Sequence, residues 1–452
     1  METRDLVRDR HRCSRVLLQA YFSGADLLSD RQPSVLIIAA KWWSTSARMA
    51  IALLSHGCRV GAVCPTGHPL RYVSGMDHIR DYRSFRSLSS LRKCIREWPP
   101  DVIMPCDDGA VAQLHELHRQ EPTLRDLIEQ SIGSPDSYSI VSSRFQLLKT
   151  AELLGIRVPK TVKVTSAQDL VTWHRDNPST SVVKVDGESG GNGVRICHSL
   201  DESLSAWREL SMRPTAAKAL KRLAVDRDPL AAWKRSNRGS REVTIQEFIS
   251  GRPANSMLLS RQGAVISQAS VLVVASDGPT GAAMIIRHTN DRYITHTGAL
   301  LAAKLHLTGF CGLDFMIQAG TEIPYLIEMN PRCTQLGHIE FSGQGSLARA
   351  YASDLRRERN LNSSQAIPLG PIALFPQAFR KSIARNPHLD LSYHDIPWEE
   401  PKLVHELLLD PWPTRRWAAR VYHFFRPISW SAPVVFEDAA AAFSKERHCA
   451  VL

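Results

Sequence analysis

GFCGLDFMIQAGTEIPYLIEMNPR, residues 309–332, reads as two strands joined by a polar turn. Cys311–Ile317 and Pro324–Met329 carry the apolar and aromatic residues of a sheet, and Gly320 and Thr321 lie between them. A hairpin centred near Thr321 sets Asp314 opposite Glu328. Side chains facing each other across a strand pair are only about 5 Å apart. Alternation brings Asn330 and Arg332 to the same face. Two carboxylates this close repel unless a cation lies between them. Together with an amide oxygen they are hard donors of the kind Mg²⁺ takes, usually in company with nucleotide phosphates. A hairpin that merely faces water is the plainer alternative, but Leu313, Phe315, Leu326 and Ile327 flank the polar residues and imply a buried sheet.

Upstream, residues 181–196 read SVVKVDGESGGNGVRI. A β-branched run reaches Lys184, a loop follows with Gly187, Gly190, Gly191 and Gly193, and an apolar strand resumes at Val194. Glycines let successive backbone N–H groups close on an anion without a Cβ in the way. No Gly-Lys-Ser/Thr closes the loop, so this is not a Walker A motif, and by itself it would be an ordinary flexible hairpin. A third stretch, VTIQEFISGRPANS at 243–256, gives a strand through Ile245, then Glu247-Phe248-Ile249, then a turn at Gly251 into Leu258-Leu259. Such a strand end can offer amides to an adenine edge and a carboxylate to a ribose.

In this order and spacing the three stretches resemble the ATP-grasp superfamily, whose members include the carboxylate–amine ligases. The resemblance covers roughly residues 134–357. It implies an α/β protein, in which an α+β ATP-grasp fold follows a Rossmann-like parallel-sheet domain. The expected divisions are a polar extension at 1–32, the parallel-sheet domain at 33–133, the ATP-grasp domain at 134–357 and a C-terminal extension at 358–452 packing on the ligase body. Within the ATP-grasp domain, a glycine-loop part spans about 165–250 and a metal-binding part about 251–357.

The resemblance also implies roles. Lys184 and the loop with Gly190, Gly191 and Gly193 would cover ATP phosphates, and Glu247, Phe248 and Ile249 would line the adenine and ribose site. Asp314, Glu328 and Asn330 would hold Mg²⁺, with Mn²⁺ as the alternative ion, and Arg332 would face the acyl-phosphate or substrate carboxylate. Arg287 and His288 fall where substrate- or phosphate-facing polar groups often lie. Before LLGIRVP at 153–159 the family usually places a second phosphate-touching lysine; this chain has Arg144, which can still neutralise phosphate. The implied activity is ADP-forming ligation of a small carboxylate to an amine. A thiol or bicarbonate-type chemistry and a non-catalytic ATP-binding module are the competing expectations.

The rest of the chain is compatible. SVLIIAA at 34–40 is a buried-strand run, a helical pattern covers 47–56, and further strands read at 60–64 and 101–104, the last ending in Pro105-Cys106-Asp107-Asp108-Gly109. Alternating strands and helices give a parallel sheet. Ligands gather at the carboxyl ends of its strands, which makes Lys41, Trp42, Trp43 and Asp107–Gly109 candidate loops. Nine cysteines without a Cys-x-x-Cys pair suggest reduced thiols and, with no apolar run of membrane length, a cytoplasmic enzyme. The formal charge of +11 is concentrated in residues 208–241, which read as a solvated basic helix; no groove-reading module accompanies it, so no specific nucleic-acid partner is expected. After residue 357, IPLGPIALFPQAF at 367–379 holds a strand, and 394–398 reads as a turn. The basic, aromatic 413–427 is expected to dock on the protein body rather than on a membrane, and the terminal CAVL carries little weight as a prenylation box. Many members of the family pair, so a homodimer is a further expectation.

Overall fold

A computed structural model describes residues 32–83, 86–186, 193–212, 242–341, 345–358, 370–380, 387–417, 419–420 and 433–436. The N-terminal sheet is parallel, in the order β3-β2-β1-β4, from β1 (Ser34–Ile38), β2 (Arg59–Cys64), β3 (His78–Asp81) and β4 (Val102–Pro105). Every residue of β1 is buried, as a strand covered on both faces requires. Helix α1 (Thr45–Ser55) follows β1, α2 (Ser87–Glu97) follows β3, and α3 (Asp108–Gln120) follows β4. Strand order reverses between β1 and β4, the point where such sheets open a crevice. Here the Asp107 carboxylate fills it. Asp107 accepts from the amides of Ala40 (2.6 Å) and Lys41 (3.1 Å) while capping α3 through the Ala110 amide (2.9 Å).

A second sheet, antiparallel in the order β5-β8-β6-β7, comprises β5 (Thr161–Val164), β8 (Val243–Glu247), β6 (Ser181–Val185) and β7 (Val194–Cys197). Helices α6 (Ala167–Asp176) and α7 (Leu200–Ser211) cover one face, burying Leu170, Trp173, Ala206 and Leu210 against Val183, Val185 and Ile245. Between the N-terminal sheet and this one, α4 (Arg125–Ile132) and α5 (Arg144–Leu153) complete the connection.

The third sheet has eight strands: β9 (Gly251–Arg261), β10 (Ala264–Ser276), β11 (Ala283–His288), β12 (Gly309–Gln318), β13 (Pro324–Asn330), β14 (Ile372–Leu374), β15 (Tyr393–Asp395) and β16 (Val434–Val435). Its two faces have different partners. Met257, Leu259, Val271, Val273, Ile286 and Phe310 share one core with Val35, Ile37 and Met49 of the N-terminal layer. Ala254, Leu258, Leu313 and Phe315 pack on the other side against Leu147 and Ala151 of α5 and against Ile294, Leu301 and Leu305 of α8 (Arg292–Leu305).

Several expectations change in detail. The hairpin register holds from Gly312–Asn330 to Asp314–Glu328, then shifts by one residue so that Phe315 meets Leu326; Ile327 is the extra residue of a bulge. Gly251 starts a long strand rather than making a turn. A Cβ there would lie 1.8 Å from the Ile317 carbonyl oxygen, so glycine serves a close backbone approach. Residues 393–395, partly read as a turn, form a strand parallel to β14. The segment after 357 thus extends the large sheet as well as packing on it, and Leu403 and Leu407 of α9 (Pro401–Leu408) enter the main core. The 413–427 stretch is described only at 413–417 and 419–420, where Trp417 is 80% exposed; Trp412, just before it, lies against Gly67. Of residues 208–241, those from 213 lie outside the described residues, as do 1–31 and the terminal CAVL. No helix among the described residues is long and apolar enough to cross a membrane, and the seven described cysteines are buried free thiols.

Candidate active site

Four direct strand pairings line up one row of residues across the large sheet: His288, Val271, Asn255, Asp314 and Glu328. Residues paired directly across strands share a face, so the row lies on the face that carries the N-terminal layer. Its polar end is the candidate site. Asp314 Oδ1 accepts from Asn255 Nδ2 (2.6 Å), and its Oδ2 accepts from Asn330 Nδ2 (2.9 Å). Burial, then the neighbouring Glu328 charge, pushes the Asp314 carboxyl up to about 6.

Two cations face this acidic end from the smaller sheet and from α5. Lys184, on β6, is buried, and its Nζ donates to Gln246 Oε1. Gln246 is held in turn by donating through Nε2 to Thr161 Oγ1 (3.0 Å). Burial, then the nearby Arg144 charge, lowers the Lys184 ammonium to about 8, against the opposing pull of Glu328, Asp314 and Asp186. Arg144 opens α5 behind the Ser143 cap, where its position is fixed by backbone geometry. Its guanidinium donates to Glu328 Oε1 (2.8 Å) and Asp186 Oδ1 (3.1 Å), and its own amide donates to Asp186 Oδ2 (3.1 Å). One arginine therefore ties the smaller sheet to the β12–β13 hairpin.

Arg332 leaves the hairpin toward the N-terminal layer. Its Nε donates to Asp108 Oδ1 (2.6 Å) and its Nη2 to Asn330 Oδ1 (3.1 Å). Burial opposes its charge, but Asp108, with Asp107 and Asp314, more than offsets this and holds the guanidinium above its ordinary range. The following backbone crosses back over β12. Cys333 donates its amide to the Pro105 carbonyl (3.2 Å), and Thr334 fills the space a Cβ at Gly312 would need. Asp108 is the first residue of α3, just after β4, so the carboxyl end of the N-terminal sheet forms a wall of this site.

Other expected residues lie farther out. His288 is in the same row but three strand spacings from Asp314, about 14 Å; its ring stacks on Phe341 at 4.8 Å. Arg287 is in the next register position beside Leu272, which alternation assigns to the opposite face. Glu247 and Phe248 leave β8 with their amides bound to the carbonyls of Lys160 (2.9 Å) and Thr180 (3.3 Å), Phe248 is partly exposed and Ile249 is buried. Gly193 anchors the base of its loop by accepting from the Val185 amide (3.0 Å); Gly190 and Gly191 lie outside the described residues. Residues not anticipated are Asn255, Asp186 and Gln246. Asp186 was legible as an acid two positions after Lys184; Asn255 and Gln246 matter only through pairings between distant strands.

Among the described residues no three His, Cys, Asp or Glu side chains converge as a closed metal cage. The oxygen-rich set of Asp314 and Glu328 with Asn330 nonetheless fits a hard divalent cation that completes its shell with phosphate and water. Burial and the neighbouring Glu328 charge raise the proton affinity of Asp314, and a bound cation would offset both.

Residues 229–335 match the family model of the ATP-grasp domain. No protein of curated function matches the sequence. Solved structures share the fold at low identity. An N5-carboxyaminoimidazole synthetase from Staphylococcus aureus complexed with ADP superposes with TM-score 0.54 at 13% identity, over 75% of this chain and 80% of that one. A biotin carboxylase from Campylobacter jejuni gives TM-score 0.54 at 14% identity, over 75% and 74%. Residues 229–335 thus match an ATP-grasp domain, and the chain shares the fold of these structures, an ATP-grasp fold behind a parallel N-terminal sheet.

Proposed function

We propose that this protein is an ATP-dependent, ADP-forming ligase that activates a small carboxylate as an acyl-phosphate for attack by an amine. One observation carries the reading: buried Lys184 and Arg144 face the Asp314–Glu328 pair across the junction of two sheets, with Arg332 beside it. Opposed cations and carboxylates at such a junction suit a nucleotide triphosphate, whose phosphates the cations bind. A Mg²⁺ ion held by Asp314, Glu328 and Asn330 would neutralise phosphate charge. In that site the Asn330 oxygen is the ligating atom; it accepts from Arg332 in the present arrangement.

The chemistry asked of the residues is positioning and charge neutralisation. Lys184 and Arg144 draw the phosphates to the Glu328 end of the row, with Arg144 exchanging a carboxylate partner for phosphate. Glu247, Phe248 and Ile249 border the adenine. The substrate carboxylate attacks the γ-phosphorus, the bond to the β-phosphate oxygen breaks, and ADP leaves. Arg332, oriented by Asp108, steadies the acyl-phosphate. An amine then adds to the carbonyl, loses a proton, and expels inorganic phosphate. The buried position of Lys184 and the half-buried one of Arg332 limit the access of water that would hydrolyse the intermediate.

A second acceptor chemistry draws support from the structural neighbours, whose names denote carboxylation: bicarbonate as the activated acid. Both readings are tested together. ADP release is measured with ATP, Mg²⁺ and pools of carboxylates that include bicarbonate, with and without amines, for wild type and Glu328→Gln. Release that depends on both an acid and an amine, and is lost in the variant, supports the amide-forming ligase. ATP binding without release under any pool would overturn it in favour of a non-catalytic nucleotide-binding module.

A further inference from the structure

The N-terminal sheet carries a second cavity, separate from the nucleotide site. It measures about 490 Å³ and lies at the carboxyl end of β3, between the short turn Pro69–Tyr72 and the start of α2. Pockets of about 300–1,000 Å³ are of small-molecule size. Its charged lining is Arg71, Arg80, Asp81, Arg83, Arg86 and Lys93. Arg71 pairs with Asp81, while Arg80 and Lys93 share Glu97. Five cations against these two carboxylates leave an excess of three positive charges around one cavity. Among the described residues Arg83 and Arg86 have no carboxylate partner. Like charges gathered around a concave wall repel, and an anion relieves this.

The wall is also prearranged. Arg71 is fixed by donating through Nε to the Pro65 carbonyl (3.2 Å) as well as by its pairing with Asp81. Ser90 Oγ accepts from the Arg83 amide (3.3 Å) and donates to the Arg86 carbonyl (3.0 Å), holding these two arginines at neighbouring backbone positions. On α2, Ser90 and Lys93 lie three positions apart and so share one face, and Arg86 is the residue that immediately precedes the helix. Parallel strands place this carboxyl edge on the same side of the sheet as Asp108 at the start of α3, which orients Arg332.

We propose that this cavity is a binding site for a phosphoryl group, carried by a small molecule. Arginine forks match phosphate oxygens bidentately. A dianionic phosphomonoester or a diphosphate suits the excess of three charges, whereas a single carboxylate would leave most of it uncompensated. The site is independent of the ligase reading, because none of its residues belongs to the nucleotide site.

Calorimetric titration of the full chain with inorganic phosphate and with pyrophosphate, without ATP, tests it. It is run at physiological salt, where a Debye length of about 8 Å suppresses diffuse attraction. The Arg83→Ala/Arg86→Ala double variant and Lys184→Ala are titrated alongside. The expected result is saturable one-site binding in wild type and in Lys184→Ala, weakened about tenfold or more in the double variant. Arg83 and Arg86 are exposed, so an unchanged melting temperature verifies that the double variant is folded. No saturable binding in wild type overturns the proposal. So does equal binding in the double variant, or loss in Lys184→Ala, which would locate the anion in the nucleotide site.

Discussion

Asp314 is held to two incompatible conditions, burial and a neighbouring carboxylate, and its protonation therefore falls within the physiological approach to acid pH. With its carboxyl pushed up to about 6, ionised Asp314 is available to a metal above that value and is increasingly protonated below it. Divalent-metal affinity, read by Mn²⁺ paramagnetic resonance or calorimetry, should be flat above neutrality and fall by about tenfold per pH unit well below 6. The sign reverses for stability without metal. A carboxylate whose folded pKa exceeds its unfolded value destabilises the fold above the folded pKa, and that penalty is relieved as pH falls through 6 toward 4. Asp314→Asn should accordingly raise the metal-free stability at pH 7 by the order of 1–3 kcal/mol, seen as a higher melting temperature, while eliminating metal binding. A lower melting temperature would show that the amide's hydrogen bonds cannot replace those from Asn255 and Asn330. Lys184 is the counterpart: Lys184→Ala should weaken ATP binding about 10–100-fold, the range for a charge-assisted contact, and an unchanged affinity would remove it from the phosphate site. The Asp314–Glu328 pair was legible in sequence because a single short hairpin sets it. The Asn255 contact was not, because it joins residues 59 positions apart.

At the scale of elements, the large sheet depends on a contact that no side-chain pattern announces. Gly251 begins β9 against the carbonyl of Ile317 on β12, with room for no Cβ. Gly251→Ala must push apart strands that carry Asn255 and Asp314 in direct register. The expected outcome is a loss of about 1–3 kcal/mol in chemical denaturation, with weaker metal binding from displacement of Asp314. Wild-type stability and metal affinity together would show that the strand end can move freely. The pattern-readable elements are those with continuous apolar runs, such as β1 and β6, or an apolar face, such as α1. Short strands are different. β3, His78–Asp81, is polar and half-exposed at a sheet edge, and β15 has three residues, two of them exposed. Each is defined by the neighbour it hydrogen-bonds, which becomes adjacent only after the chain has folded.

Across the whole molecule, a buried charge cluster joins segments that are far apart in sequence. Asp395 on β15 accepts from His338 Nε2 (2.8 Å) in the segment after the β12–β13 hairpin and pairs with Arg48 of α1. The C-terminal strand, the N-terminal layer and the segment leaving the candidate site thus meet at one carboxylate. Burial alone would raise the proton affinity of Asp395, but His338 and Arg48 together hold it below the ordinary carboxylate range. A depressed folded pKa contributes stability that is present above the unfolded value, near 3.9, and is lost as pH falls through the folded one. Asp395→Asn should cost about 3–5 kcal/mol at pH 7, as expected when a buried pair loses one charge. It should also flatten the acid limb of the melting curve below about pH 4. If the variant instead loses stability equally at pH 3 and pH 7, packing at β15 rather than charge joins these segments. The comparison isolates electrostatics, since protonated Asp395 and the asparagine side chain have nearly the same volume.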